Sequence, residues 1–168
     1  SFDYHQIQLV IFAMLCGDER MVEAVHRGED FHTFMARQIF DLAPDADPTK
    51  YQRDIAKTVN FAFVFGAQED KLNRTAGMPG LYDILRQVFP RAVDFLAETE
   101  RHVRRCGYVV TPGGYRLYVP EGQEYAGVNY MVQGSEGEIV KRAQYGIQAY
   151  LETKQININL DEAPLGWY

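Results

Sequence analysis

Residues 53–66 read RDIAKTVNFAFVFG, a stretch that predicts a helix with two different faces. Arg53, Lys57, Phe61 and Phe65 follow one another at steps of four positions and therefore form one stripe along a helix. Apolar side chains lie on another side and can be buried: Ile55, Val59 and Ala62. Two cations followed by two aromatic rings suit a ligand with phosphates at one end and a flat ring at the other. The stripe predicts a nucleoside triphosphate site; two solvated cations beside two core aromatics are the structural alternative.

Composition limits the classes of protein to consider. The 168 residues, 46% of them hydrophobic, suffice for one globular domain or two small lobes with a shared core. A net charge of −6 argues against a freestanding nucleic-acid binder, so any DNA contact is expected to be local or shared with another polypeptide. The longest apolar run, Leu9 to Cys16, is too short to span a bilayer. Together with two cysteines that lack metal-like spacing, it predicts a cytoplasmic protein without membrane contact.

Periodicity, capping residues and turn residues predict a mixed α and β chain that begins in the middle of a fold. In chain order we expect a strand at 2–9 that carries Asp3, followed by helices at 10–16, 19–28 and 31–42. The long helix comes next, with Asp47 or Thr49 as its cap, and is followed by a short turn at 70–75 and helices at 81–89 and 90–105. A hairpin at 107–120, a long helix at 132–153 and a strand in the tail come last.

The order of five motifs is more specific than any one of them. They are DYHQIQ at 3–8, GDE and GEDFH at 17–32, R-x3-K-x3-F-x3-FG at 53–66, the hairpin that begins GYV, and N-x3-QG-x3-E-I-x-KRA at 129–143. This succession resembles the family A DNA polymerases, the DNA polymerase I type, from the first palm motif onward. The resemblance covers nearly the whole chain.

The resemblance implies an α+β fold, part of a right-hand polymerase with an antiparallel palm sheet and a helical fingers subdomain. Residues 1–17 and 106–168 would belong to the palm and residues 18–105 to the fingers. The implied activity is template-directed addition of deoxynucleotides to a primer 3′ end. The implied partners are dNTP, primer-template DNA and an N-terminal polymerase polypeptide that carries the thumb, without which the chain is expected to be inactive.

The resemblance also implies a metal site. Asp3 matches a ligand of both catalytic magnesium ions, and Tyr4 would contribute its backbone carbonyl. Hard cations of this kind need oxygen ligands on a rigid element. The family's second carboxylate lies in a VHDE motif that the chain lacks, and the best local match is the Asp161 of NLDE. Either Asp161 is the second ligand after a shortened loop, or the motif lies beyond Tyr168.

Nucleotide and primer contacts follow from the same resemblance. Lys57 and Arg53 match the cations that bind the triphosphate, and His32 matches a residue that reaches the phosphate end. Phe61 matches the position beside the sugar. Polar residues matching contacts to the primer terminus and minor groove are Asn129 and Gln133, for which helix capping is the alternative.

Several positions depart from the family pattern. Gln8 replaces the Glu that excludes ribonucleotides, and Phe65 replaces the Tyr to which that Glu is hydrogen-bonded. A Gln packed on a phenyl ring could still fill the space, so discrimination against ribonucleotides is expected to be retained but weakened. Tyr125 and Tyr115 replace family arginines, which puts some primer contacts in doubt. With the second carboxylate uncertain, a noncatalytic nucleotide-binding or structural remnant of a polymerase is the alternative function.

Overall fold

Helices form most of residues 6–66 and 69–154, which are the residues that the computed structural model describes, apart from the side chain of Thr75. The elements in chain order are α1 Ile7–Cys16, α2 Glu19–His26, α3 Phe31–Ile39, α4 Lys50–Val64, α5 Glu69–Ala76, α6 Leu81–Val88, α7 Pro90–Cys106, β1 Tyr108–Val110, β2 Arg116–Tyr118, a 3-10 turn Glu124–Ala126 and α8 Gly127–Thr153. A mostly helical chain with a small antiparallel sheet confirms the predicted α+β class.

Side-chain caps fix the starts of three helices. The carboxylates of Asp18 and Asp30 accept hydrogen bonds from the third residue after them, at 3.4 Å and 2.8 Å. Thr49 and Gln52 form a capping box at the start of α4, in which each side chain accepts a bond from the other's backbone N–H. Of the two candidate caps of this helix, Thr49 is therefore the one used.

The predicted strand at 2–9 is wrong over its last part, because α1 begins at Ile7. Leu9, Ile11, Phe12 and Ala13 are buried on this helix. Packing of that apolar run against the core overrides the β-forming composition of its first residues. Asp3 and the rest of 1–5 lie outside the described residues, as does the predicted strand in the tail.

Two further expectations need correction. The turn expected at 70–75 is a helix, α5, and α8 begins at Gly127 rather than at Val132. β1 and β2 form the hairpin as predicted, paired antiparallel with Val109 opposite Leu117. It is the only sheet within the described parts of the chain. A palm sheet built from both ends of the chain would involve residues that are not described.

The main core brings α4 against α1 and the helices around it. Phe12 of α1 and Phe63 of α4 are both about 1% exposed, and their ring centroids lie 5.4 Å apart in an edge-to-face arrangement. A smaller apolar cluster joins α7 to the hairpin through Val103, Val109 and Val119. The core thus leaves one side of α4 facing outward.

The chain divides into two compact units, residues 1–136 and residues 137–168. The first contains the core, the hairpin and the beginning of α8. In the second, the described residues 137–154 continue α8 and end just after it. No helix in the described residues is both long and apolar enough to cross a bilayer.

Candidate functional site

The outward side of α4 carries the predicted stripe. Arg53 and Lys57 are exposed, and Phe61 and Phe65 are 38% and 40% exposed although both are aromatic. The two rings stack with centroids 6.4 Å apart and planes 23° from parallel. The opposite side is buried, as predicted for Ile55 and Val59, and is completed by Ala56, Phe63 and Val64. The structure therefore brings both cations and both rings onto one accessible face.

His32 lies beside this face, and the buried Asn60 contacts its ring. Its ring is 6.0 Å from the ring of Phe61, centroid to centroid, and only 7% of the residue is exposed. The buried Asn60 places its Nδ2 3.0 Å from Nδ1 of His32 and also donates to the Phe31 carbonyl at 3.4 Å. An amide N–H₂ group donates, so Nδ1 of His32 is the acceptor of this bond when the ring carries its proton on Nε2.

Arg53 forms an ion pair with Asp30. Its Nη2 lies 3.2 Å and 3.1 Å from the two carboxylate oxygens. Asp30 also caps α3 and accepts a hydrogen bond from Gln6 Nε2 at 2.7 Å. Burial acts to raise the pKa of Asp30, but the bonds from Thr33 and Gln6 and the charge of Arg53 outweigh it and lower the pKa to about 2. The carboxylate is therefore ionised at neutral pH.

Lys57 has no such partner: it forms no ion pair or hydrogen bond with any residue in 6–66 or 69–154. An ammonium group on an exposed helix face that is engaged in no ion pair keeps its charge available for an anion. The face thus presents Arg53, which Asp30 orients, and Lys57, which is unpaired within the described structure.

Gln8 lies on the first turn of α1. Its Nε2 donates a 2.8 Å hydrogen bond to Glu136 Oε2 on α8. A carboxylate from a distant part of the sequence therefore holds the amide.

Asn129 and Gln133 stand one turn apart near the start of α8. Gln133 is exposed, whereas the Oδ1 atom of Asn129 is buried and has no hydrogen-bond partner in the described residues. Both lie inside the helix, which begins at Gly127, so neither is its N-cap. The tyrosines at the two departures are exposed: Tyr115 at 65% and Tyr125 at 40%.

A basic surface lies where α7 meets the hairpin. A cavity of about 600 Å³ there is lined by Glu98, Thr99, Arg101, His102, Arg105, Val109, Val110 and Met131. Next to it, the guanidinium of Arg116 lies 5.0 Å from the centre of the Tyr108 ring. In a chain with net charge −6, this is a local concentration of cations and aromatic rings. It can contact a phosphate backbone.

The predicted metal ligands Asp3, Tyr4 and Asp161 all lie outside the described residues. Within the described ranges, no three His, Cys, Asp or Glu side chains are grouped so that they could hold a metal ion. Those ranges therefore supply no alternative to the predicted ligands.

Sequence reasoning missed four residues that support the site. Asp30 holds Arg53, and Asn60 holds His32. Gln6 in turn holds Asp30, and Glu136 holds Gln8. Asn60 gave one signal, since it is a polar residue on the otherwise apolar side of α4. Asp30 has no sequence signal beyond its place in the GEDFH motif, directly before the helix predicted at 31–42. The long-range pairings of Gln6 and Glu136 leave no local pattern in the sequence.

Comparisons with known proteins agree on one family. The family model for DNA polymerase family A matches residues 1–161. The thermostable DNA polymerase I of Thermus thermophilus is 33% identical over 159 residues, which cover 85% of this chain and 19% of that protein. DNA polymerase I of Bacillus subtilis is 30% identical over an alignment of 173 positions, which covers 94% of this chain and 20% of that protein.

Solved structures give the same result. The POL domain of Pol1 from M. smegmatis, in complex with DNA primer-template and dNTP, matches with a TM-score of 0.82 and 26% identity. The match covers 91% of this chain and 30% of that one. The chain spans about a fifth of the length of the curated relatives it matches.

Proposed function

The chain belongs to DNA polymerase family A, and from that premise we propose that it forms the nucleotide-binding part of an enzyme that extends a primer 3′ end with deoxynucleotides under the direction of a template. Residues 18–105 form the fingers in this proposal, and residues 1–17 and 106–168 form part of the palm.

The observation that carries the proposal is the exposed face of α4. Arg53 and Lys57 present positive charge on one part of the helix, and the stacked rings of Phe61 and Phe65 lie further along it. The two partly exposed rings leave apolar area on this face that a bound sugar or base would cover favourably. A deoxynucleoside triphosphate has the matching order of groups, with phosphates at one end and sugar and base at the other.

Each residue then has a defined role. Lys57 and Arg53 neutralise charge on the phosphates, and His32, fixed by Asn60, reaches the phosphate end. Phe61 packs beside the sugar, with Phe65 and Gln8 near it. Phosphoryl transfer needs little covalent help from a protein, so positioning and charge stabilisation are the contributions expected of these groups.

The proposed metal ligands are Asp3, Asp161 and the backbone carbonyl of Tyr4. They would hold two magnesium ions, which activate the attacking hydroxyl and stabilise the leaving phosphates when bound.

Primer-template DNA is the second proposed ligand. Asn129 and Gln133 would contact the primer terminus and the minor groove, where acceptors are common to all base pairs. The basic surface at the end of α7 offers further contacts to phosphates. The solved relative bound to primer-template and dNTP supports this proposal.

An N-terminal polypeptide with the thumb is the third proposed partner. The chain spans about a fifth of its curated relatives, and its net charge of −6 does not favour holding a duplex alone. Within residues 137–154, the helix exposes apolar and aromatic side chains: Ile139, Val140, Tyr145, Ile147 and Tyr150. An isolated helix is marginally stable, so a partner covering these side chains would stabilise it.

Equilibrium binding of a fluorescent dNTP to the 168-residue chain tests the nucleotide face. Lys57→Ala is expected to weaken binding about tenfold, because it removes a charge-assisted contact. Lys141→Ala removes an exposed lysine from α8 and serves as the matched control, with affinity unchanged. Equal affinities for the wild type and Lys57→Ala would remove the basis of the proposal.

Primer extension tests the activity and the partner. The 168 residues alone are expected to give no extension, and addition of a family A polypeptide carrying the thumb is expected to restore it. Robust extension by the isolated chain would refute the need for a partner. Retained dNTP binding with no extension under either condition would favour the noncatalytic remnant.

A further inference from the structure

Asp30 connects three parts of the chain that are distant in sequence. It caps α3, accepts a bond from Gln6 at the start of α1, and pairs with Arg53 on α4. Gln6 Oε1 in turn accepts the backbone N–H of Phe31 at 2.9 Å. These hydrogen bonds form a connected set that includes an ionised carboxylate and lies beside the exposed face of α4.

Gln6 occupies an unusual backbone conformation within this set. Its φ of 55° and ψ of 29° are left-handed, a region that residues with a side chain rarely adopt. Both ends of its side-chain amide are bonded, one to Asp30 and the other to Phe31. Backbone strain persists only where surrounding contacts enforce it, and such positions cluster at functional sites. These two bonds, together with those that the Gln6 carbonyl accepts from Leu9 and Val10, hold Gln6 in place.

Only one nitrogen of the Arg53 guanidinium is bound within the described residues. Nη2 alone contacts Asp30, and the side chain remains 45% exposed. The other guanidinium nitrogens, Nε and Nη1, contact no acceptor in the residues that are described. A guanidinium fixed through one nitrogen presents its remaining donors in a defined direction, which suits recognition of phosphate.

We infer that Asp30 is a positioning residue for nucleotide incorporation: it orients Arg53 toward the phosphates and, through Gln6, fixes the start of α1 against α3 and α4. The inference rests on the proposed function. Asp30 acts through Arg53 and Gln6 and not by touching the substrate. A second possibility is that Asp30 competes with the phosphates for Arg53, in which case its removal would tighten nucleotide binding.

Asp30→Asn separates these possibilities. Asparagine is as good an N-cap as aspartate, so the bond from Thr33 is kept. The charge that holds Arg53 is lost, and so is the bond from Gln6, because an amide N–H₂ group replaces the oxygen that accepts it. In single-turnover kinetics of the complete enzyme, the maximal incorporation rate is expected to fall about tenfold through misorientation of Arg53. The dNTP dissociation constant is expected to change less, by about threefold at most, since the cation remains.

A double-mutant cycle distinguishes positioning from loss of fold. Once Arg53→Ala has removed the guanidinium, Asp30→Asn is expected to lower the rate by a clearly smaller factor than it does in the wild type, because only its effect through Gln6 remains. Asp18→Asn makes the same change at the N-cap of α2 and serves as the control, with the rate unchanged. If Asp30→Asn lowers the melting temperature, Asp30→Ser, which also keeps a capping oxygen, is measured in its place.

Two results would overturn the inference. One is an equal fall in rate with Arg53 present and absent. The other is tighter dNTP binding with an unchanged rate, which would identify Asp30 as a competitor. If Arg53→Ala itself leaves dNTP binding and rate unchanged, the proposed function fails instead of the inference.

Discussion

Gln8 and Glu136, 128 positions apart in the sequence, are joined by a 2.8 Å hydrogen bond from Nε2 to Oε2. Both side chains are partly buried, so the bond is shielded from water. Family resemblance implies a carboxylate at position 8. This chain has an amide there and supplies a carboxylate from α8 that holds it.

The first prediction is that this pair sets sugar selection. Gln8→Ala is expected to lower discrimination between dNTP and the matching ribonucleotide by about tenfold, because it removes bulk beside the sugar. Glu136→Ala is expected to lower it less, since Gln8 remains but is no longer held. The ratio of incorporation efficiencies for the two sugars, measured on the complete enzyme, gives the answer.

The control for that prediction is Glu152→Ala. Glu152 accepts a similar 2.9 Å bond from Gln148, but both are exposed on the later part of α8. Selectivity that is the same in the wild type, Gln8→Ala and Glu136→Ala would show that position 8 does not contact the sugar.

Features set by local chemistry could be predicted from the sequence, and those set by long-range pairing could not. The cap of α4 could be narrowed to Asp47 or Thr49 because capping partners lie within three residues, and the exposed side of α4 could be predicted from the spacing of Arg53 and Phe61. The start of α1 was misjudged, because burial decides between helix and strand there. The partner of Gln8 could not be predicted, since no local pattern relates it to Glu136.

The second prediction concerns Gly66, which directly follows the nucleotide face. Its φ is +70°, and a Cβ there would lie 2.0 Å from the backbone oxygen of Tyr125. Gly66→Ala must therefore displace backbone as well as adopt a strained conformation, and is expected to lower the free energy of unfolding by about 2–3 kcal/mol.

Gly77→Ala separates the two contributions to that loss. Gly77 has a φ of +63° but nothing within 4 Å of an added Cβ, so only the strain of about 1 kcal/mol applies. Denaturant unfolding of both variants measures the difference. Equal losses would show that the approach of Tyr125 to Gly66 relaxes without cost.

The third prediction concerns DNA contact at the basic surface. Arg105 lines the cavity at the end of α7, whereas its neighbour Arg104 is paired with Glu100 at 2.6 Å. If Arg105 contacts a phosphate, Arg105→Ala reduces the slope of log binding constant against log salt by about 0.9. Arg104→Ala is expected to change it less, because its charge is already compensated. Slopes that are unchanged for Arg105→Ala would exclude this surface as a DNA contact.

The fourth prediction is that the two cysteines differ in reactivity. Cys16 is 2% exposed, and burial raises the pKa of its thiol from 9.0 to about 11, whereas Cys106 is partly exposed. Since the thiolate is the reactive form, Cys16 is expected to resist a disulfide reagent at pH 8 and Cys106 to react. Cys106→Ser should abolish rapid labelling of the folded protein, and Cys16→Ser should leave it unchanged.

The same shift gives a sign for alkaline stability. The unfolded thiol ionises at about pH 9 and the folded one at about pH 11, so the contribution of Cys16 is full below pH 9 and declines as the pH rises toward 11. Cys16→Ser removes this dependence, so the wild type should lose more stability than the variant across that interval. Rapid labelling of both thiols at pH 8, or parallel alkaline unfolding curves, would show that Cys16 is accessible in the folded protein.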